Sequence, residues 1–160
     1  MRIGGRFIII LFVLLTFYDS SFAQNKLMSY TFEQLNSLQM VEKRNVIVFI
    51  HTSWCKYCKA MQNTTLIEPK IIDLLNDKFY FIDLDAELRT DISFGGQTFR
   101  YRPKGTSTGV HELAEQLAII DNKITYPTLC ILNPKNEIIF QYDQYISAQK
   151  LKPILKTLTK

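Results

Sequence analysis

Val46-Ile47-Val48-Phe49-Ile50-His51-Thr52-Ser53-Trp54-Cys55-Lys56-Tyr57-Cys58 passes without a break from an apolar run to a pair of cysteines, and the helix formers Lys59, Ala60, Met61 and Gln62 follow directly. A continuous apolar run rich in β-branched residues suits a strand covered on both faces rather than an edge strand. The residues after Cys55 predict that the chain leaves this strand and enters a helix. Two cysteines three apart at a helix start lie one turn from each other, close enough for a short, reversible disulfide. That spacing is shared with zinc sites, so placement has to separate the two readings.

A helix N-terminus presents free amide groups and the positive end of a dipole, both of which stabilise a thiolate. Lys56 adds a positive charge that lowers the Cys55 pKa further. Cys55 is therefore the expected nucleophile, and Cys58, one turn in and more shielded, the residue that resolves a mixed disulfide. A zinc site would need two further ligands, and the candidates are Cys130, His51 and His111. None recurs as a second pair at zinc-site spacing, so no metal and no cofactor are expected. His51, at the end of the strand, reads as a packed or surface imidazole without a proton-transfer role. His111 reads as a solvent-facing residue in the first turn of a helix. Cys130, within Leu129-Cys130-Ile131-Leu132, reads as a buried core thiol.

Outward from this stretch, Thr31 and Gln34 fit a capping box, with Phe32, Leu35 and Leu38 at helical spacing through a segment ending near Glu42. Pro69 suits the first turn of a helix that turns Ile71, Ile72, Leu74 and Leu75 inward. Phe79-Tyr80-Phe81-Ile82-Asp83-Leu84 predicts the next strand. Residues 85–109 are polar and glycine-containing, with little that could build a core, and read as a long loop or small insertion. Phe94, Phe99 and Tyr101, near Gly95-Gly96, either tack this stretch onto the domain, the favoured reading, or form an exposed recognition surface. A short helix over residues 111–120 follows, carrying Leu113, Ala114, Leu117 and Ala118. Residues 128–132 and 138–142 predict two strands joined by the Asn133-Pro134-Lys135-Asn136 turn. The last helix, over residues 147–158, aligns Leu151, Ile154, Leu155 and Leu158, although Pro153 should delay or kink it. This order of elements predicts an α/β sandwich around a central mixed sheet.

The chain has 160 residues, close to half of them hydrophobic, enough for one domain with a real core and too few for two. A net charge of +4, with lysines and arginines scattered among acids, is too weak to imply a nucleic-acid partner. Arg2 and Arg6, an apolar run over residues 7–17, and Ser21-Phe22-Ala23 have the three parts of a secretory signal peptide. Residues 1–23 are read as that peptide and residues 24–160 as the mature domain. An uncleaved anchor is the alternative, and either reading places the domain outside the cytoplasm, periplasmic or secreted in the first case and membrane-anchored in the second. Three cysteines in an oxidising compartment leave one unpaired.

Trp54-Cys55-Lys56-Tyr57-Cys58-Lys59 resembles the Trp-Cys-x-x-Cys-Lys active site of the thioredoxin superfamily, and Tyr126-Pro127-Thr128 resembles its cis-proline loop, the two motifs falling in the right order. The resemblance runs from about residue 31 to the end of the chain and is closest to exported bacterial thioredoxin-like proteins. It implies a thioredoxin fold, a central mixed β-sheet flanked by helices, here with an insertion of about residues 86–123 before the cis-proline loop. It further implies that Pro127 is cis and packs beside the Cys55–Cys58 pair, with the backbone of Tyr126 available to an extended substrate segment and Trp54 and Lys56 supporting the cysteines. A cis X-Pro bond costs only about 0.5–1 kcal/mol, but the residues alone say only that Pro127 ends a loop. The implied activity is thiol–disulfide exchange on exported protein or peptide disulfides, with a membrane-embedded electron donor if the direction is reduction. Lys56-Tyr57 matches neither the Gly-Pro of reducing thioredoxins nor the Pro-His of strong oxidants. Many thioredoxins carry a buried Asp six residues before the first cysteine, and Phe49 stands there instead. That departure gives weight to the alternative, a non-enzymatic binding module whose Cys55–Cys58 bridge is structural.

Overall fold

The computed structural model describes residues 26–159; the expected signal peptide lies outside the described residues. The apolar run of the motif stretch is strand β1, Asn45–His51, and Val46, Ile47, Val48, Phe49 and Ile50 are all fully buried. It lies inside a four-stranded sheet of order β10-β9-β1-β2, parallel to β2 (Phe79–Asp85) and antiparallel to β9 (Thr128–Leu132), with β10 (Ile138–Tyr142) outermost. Mixed pairing on either side of β1 follows from connectivity. Helical segments separate β1 from β2, as a parallel pair requires, whereas the Asn133–Asn136 turn joins β9 to β10 as a hairpin.

Alternation along β1 divides the interior into two layers. Val46, Val48 and Ile50 face helix α1 (Phe32–Val41), helix α4 (Glu112–Ala118) and the insertion, and Ile47 and Phe49 face helices α2 (Lys56–Gln62), α3 (Pro69–Lys78) and α5 (Ala148–Thr157). α1 opens as expected: the Thr31 N–H donates to Gln34 Oε1 at 2.9 Å, and the Gln34 N–H to the Thr31 carbonyl at 3.2 Å. α5 departs from expectation, running through Pro153 undelayed. Pro153 lies on the exposed face, where the carbonyl deprived of a helical donor can meet water.

The insertion is more ordered, and more deeply rooted, than its composition suggests. It folds as three small hairpins, β3–β4 (Ile92–Phe94, Gln97–Phe99), β5–β6 (Tyr101–Pro103, Gly109–His111) and β7–β8 (Ile119–Ile120, Lys123–Ile124), with α4 between the last two. Gly95 and Gly96, at φ of 60° and 78°, supply the left-handed residues that a two-residue hairpin turn requires. Gly109 is needed for a different reason, since a Cβ there would run into the Tyr101 ring. Ile92, Phe99 and Val110 enter the α1-side core, so this stretch does contribute to the interior. The aromatic residues act as tacks: Phe99 is buried, Phe94 packs edge-on against Phe32 at 4.9 Å, and Tyr101 lies beneath the Arg89 guanidinium. The short helix ends at Ala118 because Ile119 and Ile120 extend into a hairpin whose turn, Asp121 and Asn122, has positive φ. Among the described residues no helix is long and apolar enough to cross a membrane.

Candidate active site

Cys55 is the N-cap of α2 and is bonded to Cys58, with Cα atoms 5.2 Å apart. The approach to this cap is set by β1: the Cys55 N–H donates to the Thr52 carbonyl at 3.3 Å, turning the chain one residue after the strand ends. Cys55 Sγ accepts the Cys58 N–H at 3.1 Å, so the free amide that the sequence leads one to expect at a helix start is already aimed at this sulfur. Both sulfurs sit in the core layer formed with Phe49, Met61, Phe81 and Leu129, and Cys55 remains the more accessible, at 5% against 1% for Cys58.

The Tyr126–Pro127 bond is cis, as the resemblance implies. Tyr126 packs against the cluster that holds the disulfide, and its ring meets Trp54 edge to face at 6.2 Å. Burial first, and then the negative charges of Glu87, Glu115 and Asp85, push the Tyr126 hydroxyl up to about 12, so it stays a neutral phenol in the physiological range. Trp54 and Tyr57 are exposed beside the cysteines, at 64% and 69%. The site thus presents an aromatic rim around a nearly buried disulfide.

Phe49 lies directly in the disulfide's core layer, so no carboxylate occupies that position on β1. Two residues further along the strand, His51 Nε2 is 2.7 Å from Asp83 Oδ1, and the imidazole stacks on the Phe49 ring at 5.4 Å. Burial opposes the charge on His51 and is the largest single influence, yet the hydrogen bond and charge of Asp83, with Asp85 adding, outweigh it and raise the pKa above the ordinary 6.5. The partner was not legible from the local sequence. It follows from the parallel register, which sets Phe49 opposite Asp83 and His51 opposite Asp85. His111 departs from its expected exposure: it is fully buried as the N-cap of α4, its Nδ1 accepting the Leu113 N–H at 3.2 Å, and burial holds its pKa below the usual histidine range. Cys130 is the buried core thiol expected, pushed up to about 12 by burial. It points into the α1-side layer, across the sheet from the disulfide. Among the described residues, none of the three zinc candidates, His51, His111 and Cys130, joins the pair in a group that could hold a metal ion. Glu87 was missed by the sequence reading, although it places both carboxylate oxygens 3.2 Å from Trp54 Nε1.

A mixed sheet sandwiched by helices, a Cys-x-x-Cys disulfide capping the helix after the central strand, and a cis-proline loop whose Tyr126 packs against the cluster that holds it together define a thioredoxin-type domain. The family model for the thioredoxin-like domain matches residues 31–159, and the chain belongs to that family. Among solved structures, a thioredoxin from Thermus thermophilus is similar with a TM-score of 0.58 and 21% identity, covering 82% of this chain and 86% of its own. A protein described as DsbH oxidoreductase gives 0.55 and 13% over 83% and 85%. A disulphide isomerase from Xylella fastidiosa Temecula1 gives 0.52 and 14% over 80% and 87%. At these identities the likeness is one of fold. No curated protein matches this chain in sequence.

Proposed function

We propose that this chain is an exported thiol–disulfide oxidoreductase that reduces disulfides in exported proteins or peptides. The observation that carries the reading is the Cys55–Cys58 disulfide at the cap of α2, with Cys55 the more accessible sulfur and the Cys58 N–H aimed at it. In the reduced form the Cys55 thiolate attacks one sulfur of a substrate disulfide, the substrate S–S bond breaks, and the departing sulfur leaves as a thiolate that takes a proton. Cys58 then loses its proton to solvent and attacks Cys55 Sγ, releasing the second substrate thiolate and closing the bridge. Two electrons pass to the substrate, and a dithiol donor must return them. In an exported protein that donor is a membrane-embedded one. Trp54, Lys56 and the Tyr126–Pro127 loop frame the sulfurs, and an extended substrate segment lies along the Tyr126 backbone. Names such as oxidoreductase and disulphide isomerase among the fold neighbours are consistent with this chemistry.

Equilibrating the purified protein against defined thiol–disulfide buffers tests the reading. A reversible couple between about −270 and about −120 mV supports exchange, and its place in that interval gives the direction. A potential well below about −300 mV supports instead a structural bridge in a binding module, the reading that Phe49 in the disulfide layer favours. Trapping gives a second check: Cys58→Ser should accumulate mixed disulfides with substrate proteins and Cys55→Ser should not.

A further inference from the structure

Resting on the exchange reading, we propose that Glu87 is a positioning residue through which the inserted segment holds Trp54 beside the disulfide. Trp54 directly precedes Cys55 and is 64% exposed, so packing alone does not select one orientation for its indole. Two contacts do. Its Nε1–H donates to Glu87, with both carboxylate oxygens at 3.2 Å, and its ring meets Tyr126 edge to face at 6.2 Å. A hydrogen bond to an ionised acceptor is the stronger kind, and here it joins the loop before the nucleophile to the start of the insertion.

Glu87 is itself held from both sides. Its N–H donates to Asp85 Oδ1 at 2.9 Å. The preceding Ala86 is fully buried; its N–H donates to the His51 carbonyl at 2.8 Å, and its carbonyl accepts the His111 N–H at 2.7 Å. Ala86 therefore bridges the end of β1 to β6, the strand that closes the second hairpin of the insertion. The insertion fixes Ala86, Ala86 fixes Glu87, and Glu87 fixes the indole. The indole and Tyr126 then form one rigid wall beside the sulfurs, against which a substrate segment is oriented. This gives the insertion a task at the site, although its hairpins lie on the other face of the sheet.

The test uses the chain's single tryptophan, whose fluorescence reports Trp54 alone. Glu87→Ala should lower the anisotropy of Trp54, raise its acrylamide quenching constant about twofold, and lower kcat/KM for a disulfide-bonded peptide about tenfold, mainly through KM. Glu87→Gln, which keeps an acceptor oxygen, should restore all three. In a Trp54→Phe background, Glu87→Ala should have no further effect on kcat/KM. Unchanged anisotropy and quenching in Glu87→Ala, or an equal loss of rate in the Trp54→Phe background, overturns the proposal. One measurement needs no variant: the Trp54 indole N–H of the unsubstituted protein should exchange with water about tenfold more slowly than a free indole, and exchange at the free rate overturns the proposal. If the unsubstituted protein exchanges no disulfides while the Trp54 signals behave as stated, the positioning role stands and the exchange reading falls.

Discussion

Reducing the Cys55–Cys58 bond changes stability by an amount that the structure bounds from two sides. The bridge closes a loop across a sequence separation of only 3, and constraining so short a loop in the unfolded chain contributes roughly 2 kcal/mol to the oxidised form. Against this, the reduced form gains a thiolate at the cap of α2, where the Cys58 N–H already points at Cys55 Sγ from 3.1 Å, and such helix-terminal charge stabilisation contributes about 1 kcal/mol. The oxidised protein should therefore be the more stable by about 1–2 kcal/mol at pH 7, which is a shift of up to about 1 M in urea midpoint for a domain of this size. By linkage, a gap of about 2 kcal/mol makes the folded couple only about 40 mV more reducing than the same cysteines in the unfolded chain. The gap should narrow as pH rises, because the folded state stabilises the Cys55 thiolate and the unfolded state does not. Urea unfolding of both forms, with equal m-values as the check on two-state behaviour, measures it directly. A gap of about 4 kcal/mol or more, or one that does not change with pH, would refute the reasoning, since the reduced pair would then gain nothing from its place at the helix start.

Other outcomes follow from the same geometry. The pKa of His51 is raised by folding, so the stability it draws from Asp83 is fully present below its unfolded value and is lost as pH rises through the higher folded one. The stability difference between the natural protein and Asp83→Asn should accordingly shrink as pH rises from the ordinary histidine value of about 6.5 through the higher folded one, and a difference that is flat with pH counts against the pair. Cys130→Val should leave thiol–disulfide exchange unaltered and cost under about 1.5 kcal/mol, because the site is apolar and on the far side of the sheet from the disulfide; a loss of exchange would show that Cys130 takes part. Gly109→Ala should destabilise the protein by about 1–3 kcal/mol, since the added methyl meets the Tyr101 ring and the Arg102 carbonyl, and thermal unfolding reads this out.

Much of the fold is legible in local sequence because each local preference agrees with the tertiary outcome. An unbroken apolar run rich in β-branched residues suits a strand covered on both faces, Thr31 and Gln34 announce a helix start, and the Asn133–Asn136 turn separates two strand-length segments. The insertion was less legible. Its strands are three residues long or shorter, below the length at which alternation declares a strand, and Ile92, Phe99 and Val110 gain their burial only because α1 and the sheet lie beneath them. His111 likewise looked like any polar residue at a helix start until the β5–β6 hairpin carried it inside.

The sequence by itself determined the cysteine pair, its place at a helix start after a buried strand, and the order of elements that makes a thioredoxin-type sheet, because these depend on residue type and spacing along one stretch of chain. Only the tertiary structure decided which groups surround the sulfurs. Asp83 reaches His51 through a parallel strand register, Glu87 reaches Trp54 across a sequence separation of 33, and Tyr126 closes the rim from a third part of the chain. Contacts of that kind are set by how the sheet and its layers pack, and packing is a property of the whole chain rather than of any segment within it.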